Sequence, residues 1–236
     1  MSVAALRVDG GKDIGMGHIM RSMALANDLK KDEEVIRVLY ITKNDPSAVN
    51  KLRENDFEVI TIDKDFSYEK EIEEVKEIIK KEKVNKLITD SYEIDQNYLI
   101  EMRKVVDKLV TIHDYAPFPF PSHVVINGNA YAEDLDYESL YGDTEFLLGT
   151  DYLLLREEFR NLPEIEVRDK VQNILVTVGG YDIRNLTPKI IKGLNFINFD
   201  EIDERYIDKE NLHFDVVIGP SFDNTDQIVS EVQKSN

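Results

Sequence analysis

The stretch Val3-Ala-Ala-Leu-Arg-Val-Asp-Gly-Gly-Lys-Asp-Ile-Gly-Met-Gly-His-Ile-Met-Arg21 decides the fold. Its apolar opening, Val3 to Val8, suits a short buried strand, and Ile19, Met20, Met23, Ala24, Ala26 and Leu29 then recur at helical spacing. Gly10, Gly11, Gly15 and Gly17 therefore sit at a strand-to-helix corner. Without side chains they permit a tight bend, positive φ and close approach of a ligand to backbone amides. The helix start presents unpaired N–H groups and a positive dipole end, which favours an anion such as phosphate.

Two familiar glycine loops are excluded. A P-loop needs Lys followed by Ser or Thr after its last glycine, but Met16 follows Gly15 and His18 follows Gly17. The dinucleotide fingerprint puts its third glycine where Met20 stands, so nicotinamide chemistry is disfavoured. What remains is a histidine in the first turn of a helix, where the dipole disfavours imidazolium and a neutral ring can act as a general base. Arg21 shares its helix face and suits a clamp for a phosphate or sugar substituent. The alternative is that His18 only caps the helix.

Outward from this corner, short apolar strands alternate with amphipathic helices, the pattern of an α/β, Rossmann-like, doubly wound parallel sheet. Strands are expected at Val3 to Asp9, Val35 to Ile41, Phe57 to Ile62, Lys86 to Asp90, Lys108 to His113 and His123 to Asn127. Tyr68 to Lys83 carries Ile72, Val75, Ile78 and Ile79 on one side of a helix. Ligands of such sheets bind at the carboxyl ends of the strands. There the polar residues collect: Asp9 and Gly10, Asp90 and Tyr92, His113 and Asp114, Asn127 and Asn129. Each alone is ordinary turn chemistry, and together they read as a site. The histidines show no metal-ligand spacing, so neither a metal nor another cofactor is expected. Residues 1–150 read as an N-terminal catalytic domain. Residues 151–236 read as a partial second domain, with a strand at Asn173 to Val178 ending in Gly179-Gly180, a helix from Leu186 to Leu194, a strand at His213 to Ile218, and a polar tail.

The segment Arg7 to Arg21 resembles the signature of the UDP-sugar hydrolases of pseudaminic acid biosynthesis and their spore-coat polysaccharide relatives. Further matches follow in the same order: Ile126-Asn-Gly-Asn-Ala-Tyr-Ala132, Asp136-Tyr-Glu-Ser-Leu140, Tyr152-Leu-Leu-Leu-Arg-Glu-Glu-Phe159 and Val178-Gly-Gly-Tyr-Asp-Ile-Arg-Asn-Leu186. The resemblance covers residues 1 to about 190. It implies a glycosyltransferase-B-like fold, with His18 as the base that activates water and UDP released from a 2,4-diacetamido-2,4,6-trideoxy sugar with inversion. Gly15, Gly17 and Arg21 would position the substrate, with Asp9, Gly10, Asp90, Tyr92, Asp114, Asn127 and Asn129 around the sugar and Gly179 and Gly180 near the nucleotide. The family's later glycine- and serine-rich loop, followed by an acidic residue, has no counterpart after residue 221, so the second domain reads as truncated, as half of a split gene or as a degenerate copy. A homodimer or a partner chain completing that domain is an expectation of this reading. The alternatives are a glycosyltransferase on the same scaffold and a non-catalytic sugar-nucleotide-binding protein.

Composition bounds these readings. Of 236 residues 42% are hydrophobic and 32% charged, enough for a substantial core. The formal net charge of -18 disfavours nucleic acid and anionic membranes as partners. The absence of cysteine removes disulfides and thiol catalysis and, with no long apolar run, suggests a cytoplasmic setting.

Overall fold

Burial along the first strand, β1 (Ser2–Val8), alternates between two cores. Ala4, Leu6 and Val8 enter one and Ala5 the other, because successive side chains of a strand point to opposite faces. The computed structural model describes residues 1–11, 14–219 and 222–234. Around β1 lie β2 (Val35–Lys43), β3 (Glu58–Ile62), β4 (Lys86–Asp90), β5 (Lys108–Ile112), β6 (Val124–Asn127) and β7 (Glu145–Leu148). All pair in parallel, in the order β3-β2-β1-β4-β5-β6-β7. The seventh strand is additional to the six expected. It is a four-residue, half-buried edge strand, too short to show a period.

Both faces are covered, as parallel sheets require. Helices α1 (Gly17–Leu29) and α2 (Pro46–Glu54) bury Ile19, Met23, Ala26, Ala48 and Leu52 against one face. Helices α3 (Tyr68–Glu82) and α4 (Gln96–Arg103) bury Ile72, Val75, Ile79, Leu99 and Met102 against the other. Local chemistry sets the helix ends. Asp45 accepts from the amides of Ser47 and Ala48 with Pro46 at the first helical position, Ser67 and Asp95 cap α3 and α4, and Lys83 closes α3 in the left-handed conformation. The proline-rich turn after β5 is anchored rather than loose, because Phe120 is fully buried and stacks near Phe118, Tyr137 and His113.

A buried ion network ties the strand ends together. Arg7, 1% exposed, donates to Asp9 Oδ1 (2.6 Å) and to Glu71 Oε1 of α3 (2.7 Å). Asp9 in turn accepts from the Lys43 amide at the end of β2 (3.0 Å) and from Ser91 Oγ just past β4 (3.3 Å). Burial alone would push the Asp9 carboxyl up, but Arg7 and the Lys43 amide outweigh it and hold the group below its ordinary value.

The chain divides into two compact units, Met1–Leu162 and Pro163–Asn236. Residues 151–162, read from the sequence as the start of the second domain, pack with the first unit: Leu154 joins the α1 core, and Arg160 pairs with Asp28 of α1 at 2.6 Å. The second unit holds a parallel pair, β8 (Asn173–Val176) and β9 (His213–Val216), with α5 (Leu186–Leu194) and α6 (Thr225–Gln233). Helix α6 occupies what reads as a polar tail, and it forms because Ile228, Val229 and Val232 share one helical face, with Ile228 1% exposed. Among the described residues no helix is long and apolar enough to cross a membrane.

Two outcomes test this account. Phe120→Ala should cost about 3–5 kcal/mol in urea unfolding, as for other fully buried aromatics. Asp9→Asn should cost about 1.5–3 kcal/mol at neutral pH, because the charge-assisted bond to Arg7 is weakened while Glu71 still pairs with it. A lowered carboxyl stabilises the fold above its unfolded pKa and loses that contribution as pH falls, so the variant should also show a shallower decline in stability than the parent between about pH 5 and pH 3.

Candidate active site

The strand order turns at β1 and β4: α1 carries the chain from β1 towards β2 and β3, while β4 runs on to β5, β6 and β7. Such a switch point opens a crevice at the carboxyl ends of the two strands. Val8 stands in register with Asp90, so the glycine corner after β1 and the end of β4 are neighbours. His18 enters this crevice from the first turn of α1, and its Nδ1 lies 2.6 Å from Asp90 Oδ1. A carboxylate only accepts, so in the neutral ring this pairing assigns the hydrogen to Nδ1 and the lone pair to Nε2. The tautomer is the one a general base needs.

Arg21, one turn along α1, binds both oxygens of Asp90, Nε to Oδ2 and Nη2 to Oδ1 at 2.6 Å each, in the fork geometry that matches a carboxylate. Its Nη1 donates to Asp114 Oδ1 at 2.7 Å. Arg21 Nη2 also lies 3.1 Å from His18 Nδ1, a contact between two groups that share Asp90 Oδ1. The Asp90 side chain is fully buried and that of His18 is 11% exposed. The two carboxylates and one guanidinium beside His18 sum to a charge of minus one. Three of the five Arg21 N–H groups serve carboxylates, so this arginine orders the site and is not a free phosphate clamp.

Asp114, just past β5, collects the next ring of partners. Tyr92 donates its hydroxyl to Oδ2, and Asn129 Nδ2 donates to Oδ1 at 3.0 Å. Burial would raise the Asp114 carboxyl, and the hydrogen bonds and charge of Arg21 with the Tyr92 hydroxyl bring it below the ordinary range. Burial and the same Asp114 carboxylate push the Tyr92 phenol well up, so it stays a donor. The Tyr92 ring stands edge-on to His18, centroids 4.7 Å apart. Asn127, 1% exposed, accepts from the Asn129 amide and side chain (3.0 and 2.7 Å) and donates to the Tyr137 hydroxyl at 2.8 Å. His113 accepts the Tyr115 amide on Nδ1 at 3.1 Å, and burial lowers its pKa, so it is a neutral part of the packing under Tyr92.

The expected residues thus divide. His18, Arg21, Asp90, Tyr92, Asp114, Asn127 and Asn129 form one hydrogen-bonded cluster. Asp9 is buried 2% exposed beneath it and engaged by Arg7, Lys43 and Ser91, so a ligand would reach it only by displacing them. Gly10 packs so closely on α1 that a Cβ would fall 2.4 Å from Ile19. Gly15 (φ 81°) exchanges backbone bonds with Gly11, donating its amide at 2.8 Å, so that amide is not open to a substrate. Gly17 opens α1, whose N-terminus has no side-chain cap and no acidic residue in its first turn. Among the described residues nothing lies within 4 Å of a Cβ placed there. Gly179 and Gly180 follow β8 in the second unit. Among the described residues no group of three or more acidic or histidine side chains is arranged to hold a metal. Three contributors escape sequence reading: Asp90 as the orienter of His18, Tyr137 beneath Asn127, and Arg7 with Glu71 beneath Asp9. Asp90 reaches His18 across 72 residues and Glu71 reaches Arg7 across 64, so those pairings come from the tertiary fold, whereas Arg7 stands two residues from Asp9 and Tyr137 ten from Asn127.

No family model matches the chain. The chain is 29% identical, over 95% of its length, to the uncharacterized protein MJ1062 of Methanocaldococcus jannaschii. Over 80% of its length it is 31% identical to the UDP-2,4-diacetamido-2,4,6-trideoxy-beta-L-altropyranose hydrolase of Campylobacter jejuni, and over 78% it is 29% identical to the spore coat polysaccharide biosynthesis protein SpsG of Bacillus subtilis. It spans 44%, 64% and 52% of these three relatives' own lengths, so about half. The fold is similar to that of MurG from Acinetobacter baumannii, with a TM-score of 0.56 at 14% identity, covering 97% of this chain and 69% of that one. The chain is similar in sequence to the altropyranose hydrolase and to SpsG, and its fold is a glycosyltransferase-B-like, Rossmann-type α/β scaffold.

Proposed function

We propose that the protein acts on a sugar nucleotide and releases UDP from an acetamido-deoxy sugar by hydrolysis, in the assembly of a pseudaminic-acid-type or other surface polysaccharide. The observation that carries this reading is the His18–Asp90 pair: with the hydrogen of a neutral ring on Nδ1 facing Asp90, Nε2 is the nitrogen that can act as base. In the proposed step Nε2 takes a proton from water as the water oxygen bonds to the anomeric carbon. The bond from that carbon to the UDP oxygen breaks, and UDP leaves with the electron pair from the opposite face, so configuration inverts. Asp90 stabilises the imidazolium that forms, and the proton then passes to solvent. General-base assistance supplies roughly a hundred- to ten-thousandfold, so orientation of sugar and diphosphate must supply the rest.

The test is UDP release, followed by proton NMR, from the diacetamido altropyranose nucleotide with the purified chain and no acceptor. His18→Ala should lose at least about a hundredfold in kcat with an unchanged circular dichroism spectrum, and Asp90→Asn a comparable factor because the tautomer is no longer fixed. Full activity in the His18 variant would remove the base from the mechanism. Release that appears only when a hydroxyl acceptor is added would make the enzyme a transferase. Binding without release in either case would favour a non-catalytic binder.

A further inference from the structure

The second unit leaves one strand edge open. Its sheet consists of β8 and β9, paired in parallel with Asn173 opposite His213 and Val176 opposite Val216. Parallel sheets normally bury both faces and two strands alone are marginal in water, yet Leu175 is 63% exposed, Val217 45% and Phe214 39%. The outer edge of β8 is taken at its start, where Val171 donates to the Tyr206 carbonyl (2.9 Å) and accepts from the Asp208 amide (3.0 Å). The edge of β9 is not. The amides of His213 and Val217 turn inward to the carbonyls of Gln172 and Val176 (2.7 and 3.0 Å). By alternation those of Phe214 and Val216 turn outward, and among the described residues neither meets a backbone partner there. Leu212, extended at φ -76° and ψ 122°, continues this edge. The run Leu212-His-Phe-Asp-Val-Val-Ile218 carries no lysine, proline or bulge, the devices that keep a free edge from pairing.

Side-chain chemistry selects the occupant and its register. In a two-fold antiparallel pair of β9 strands one residue stands opposite its own copy, and residues two apart share a face. Centred on Asp215, the pair would set carboxylate against carboxylate, which is destabilising. Centred on His213 or Val216, it would set Asp215 against the partner's Asn211, which lies in a 3₁₀ turn, or against the partner's Val217, which is apolar. Centred on Phe214, it sets His213 against the partner's Asp215 and Asp215 against the partner's His213, an imidazole facing a carboxylate on both sides of the axis. The same register lets the outward-facing Phe214 groups exchange backbone hydrogen bonds with their copies and puts both Phe214 rings on one face of the sheet. That face is only partly filled: Phe214 rests on Phe199, ring centroids 5.6 Å apart, beside a cavity of about 510 Å³ lined by Leu194, Val216 and Val232.

We infer that the β9 edge is an interface with a second copy of this chain, in which Phe214 meets Phe214 across a two-fold axis and the order β8-β9-β9-β8 makes one four-stranded sheet. This interface lies in the second unit and holds whether or not His18 is a base.

Sedimentation velocity of the full chain in about 0.15 M salt, where repulsion between two chains of net charge -18 is screened beyond about 8 Å, should show a monomer–dimer equilibrium. Asp215→Lys, at an exposed position, should weaken dimerisation about tenfold or more with an unchanged circular dichroism spectrum, because both cross-strand pairs lose their acceptor. Adding His213→Glu to that variant should restore the dimer by reversing the pair across the axis. In a chain without other cysteines, Phe214→Cys places a single thiol at the axis, where opposed Cα atoms stand about 5.5 Å apart, so mild oxidation should link two copies. Leu175→Cys, on β8, should not link. A chain that stays monomeric at every concentration, a dimer indifferent to Asp215→Lys, a folded double variant that does not recover, or equal cross-linking at both cysteine positions would each overturn the β9 interface. Open-ended oligomers would do the same, because a two-fold pair closes.

Discussion

The fork of Arg21 across Asp90 and Asp114 is the contact on which the site depends. It runs from α1 to the carboxyl ends of two adjacent strands, and both acceptors are more than four-fifths buried at the side chain. A desolvated ion pair of this kind adds little net stability but fixes geometry, because removing one partner leaves an uncompensated buried charge. The consequence reaches His18. Asp90, held at both oxygens, can present only one edge to the imidazole, so the ring's tautomer and direction are set before any ligand arrives.

The same contact neutralises charge locally in a chain of net charge -18. The positive charge of Arg21 is answered locally by two carboxylates, so it contributes direction and hydrogen bonds rather than a free field. The N-terminus of α1 carries no side-chain cap and no acidic residue in its first turn. Beneath this layer, Arg7, Asp9 and Glu71 lock the ends of β1, β2 and β4 to α3. The crevice rests on a second set of buried charges.

Much of the site was legible from residue type and position. Glycines after β1, a histidine at N2 of the next helix, an arginine three residues on, and acids or amides at the strand ends are all read without a structure. Their roles were less legible. Asp9 and Asp90 look alike as acids ending strands, yet Asp9 is taken by Arg7 below the sheet edge while Asp90 faces His18. Gly15 and Gly17 look alike as loop glycines, yet the Gly15 amide is bonded to Gly11 and Gly17 opens the helix. In each pair the difference lies in which distant segment stands opposite.

Sequence by itself determined the local elements and their order, because hydrophobic periodicity, caps and glycine corners act within a few residues of the chain. It determined the parallel α/β class, since short buried strands separated by amphipathic helices have few other ways to cover both faces. It missed β7 and α6, whose four and nine residues carry too little pattern to separate from loop. Tertiary structure alone decided the strand order, and with it the placement of β4 beside β1. Hydrogen bonds over 69 to 93 residues of separation, from Arg21 to Asp90 and Asp114, follow from that order and leave no trace in local spacing.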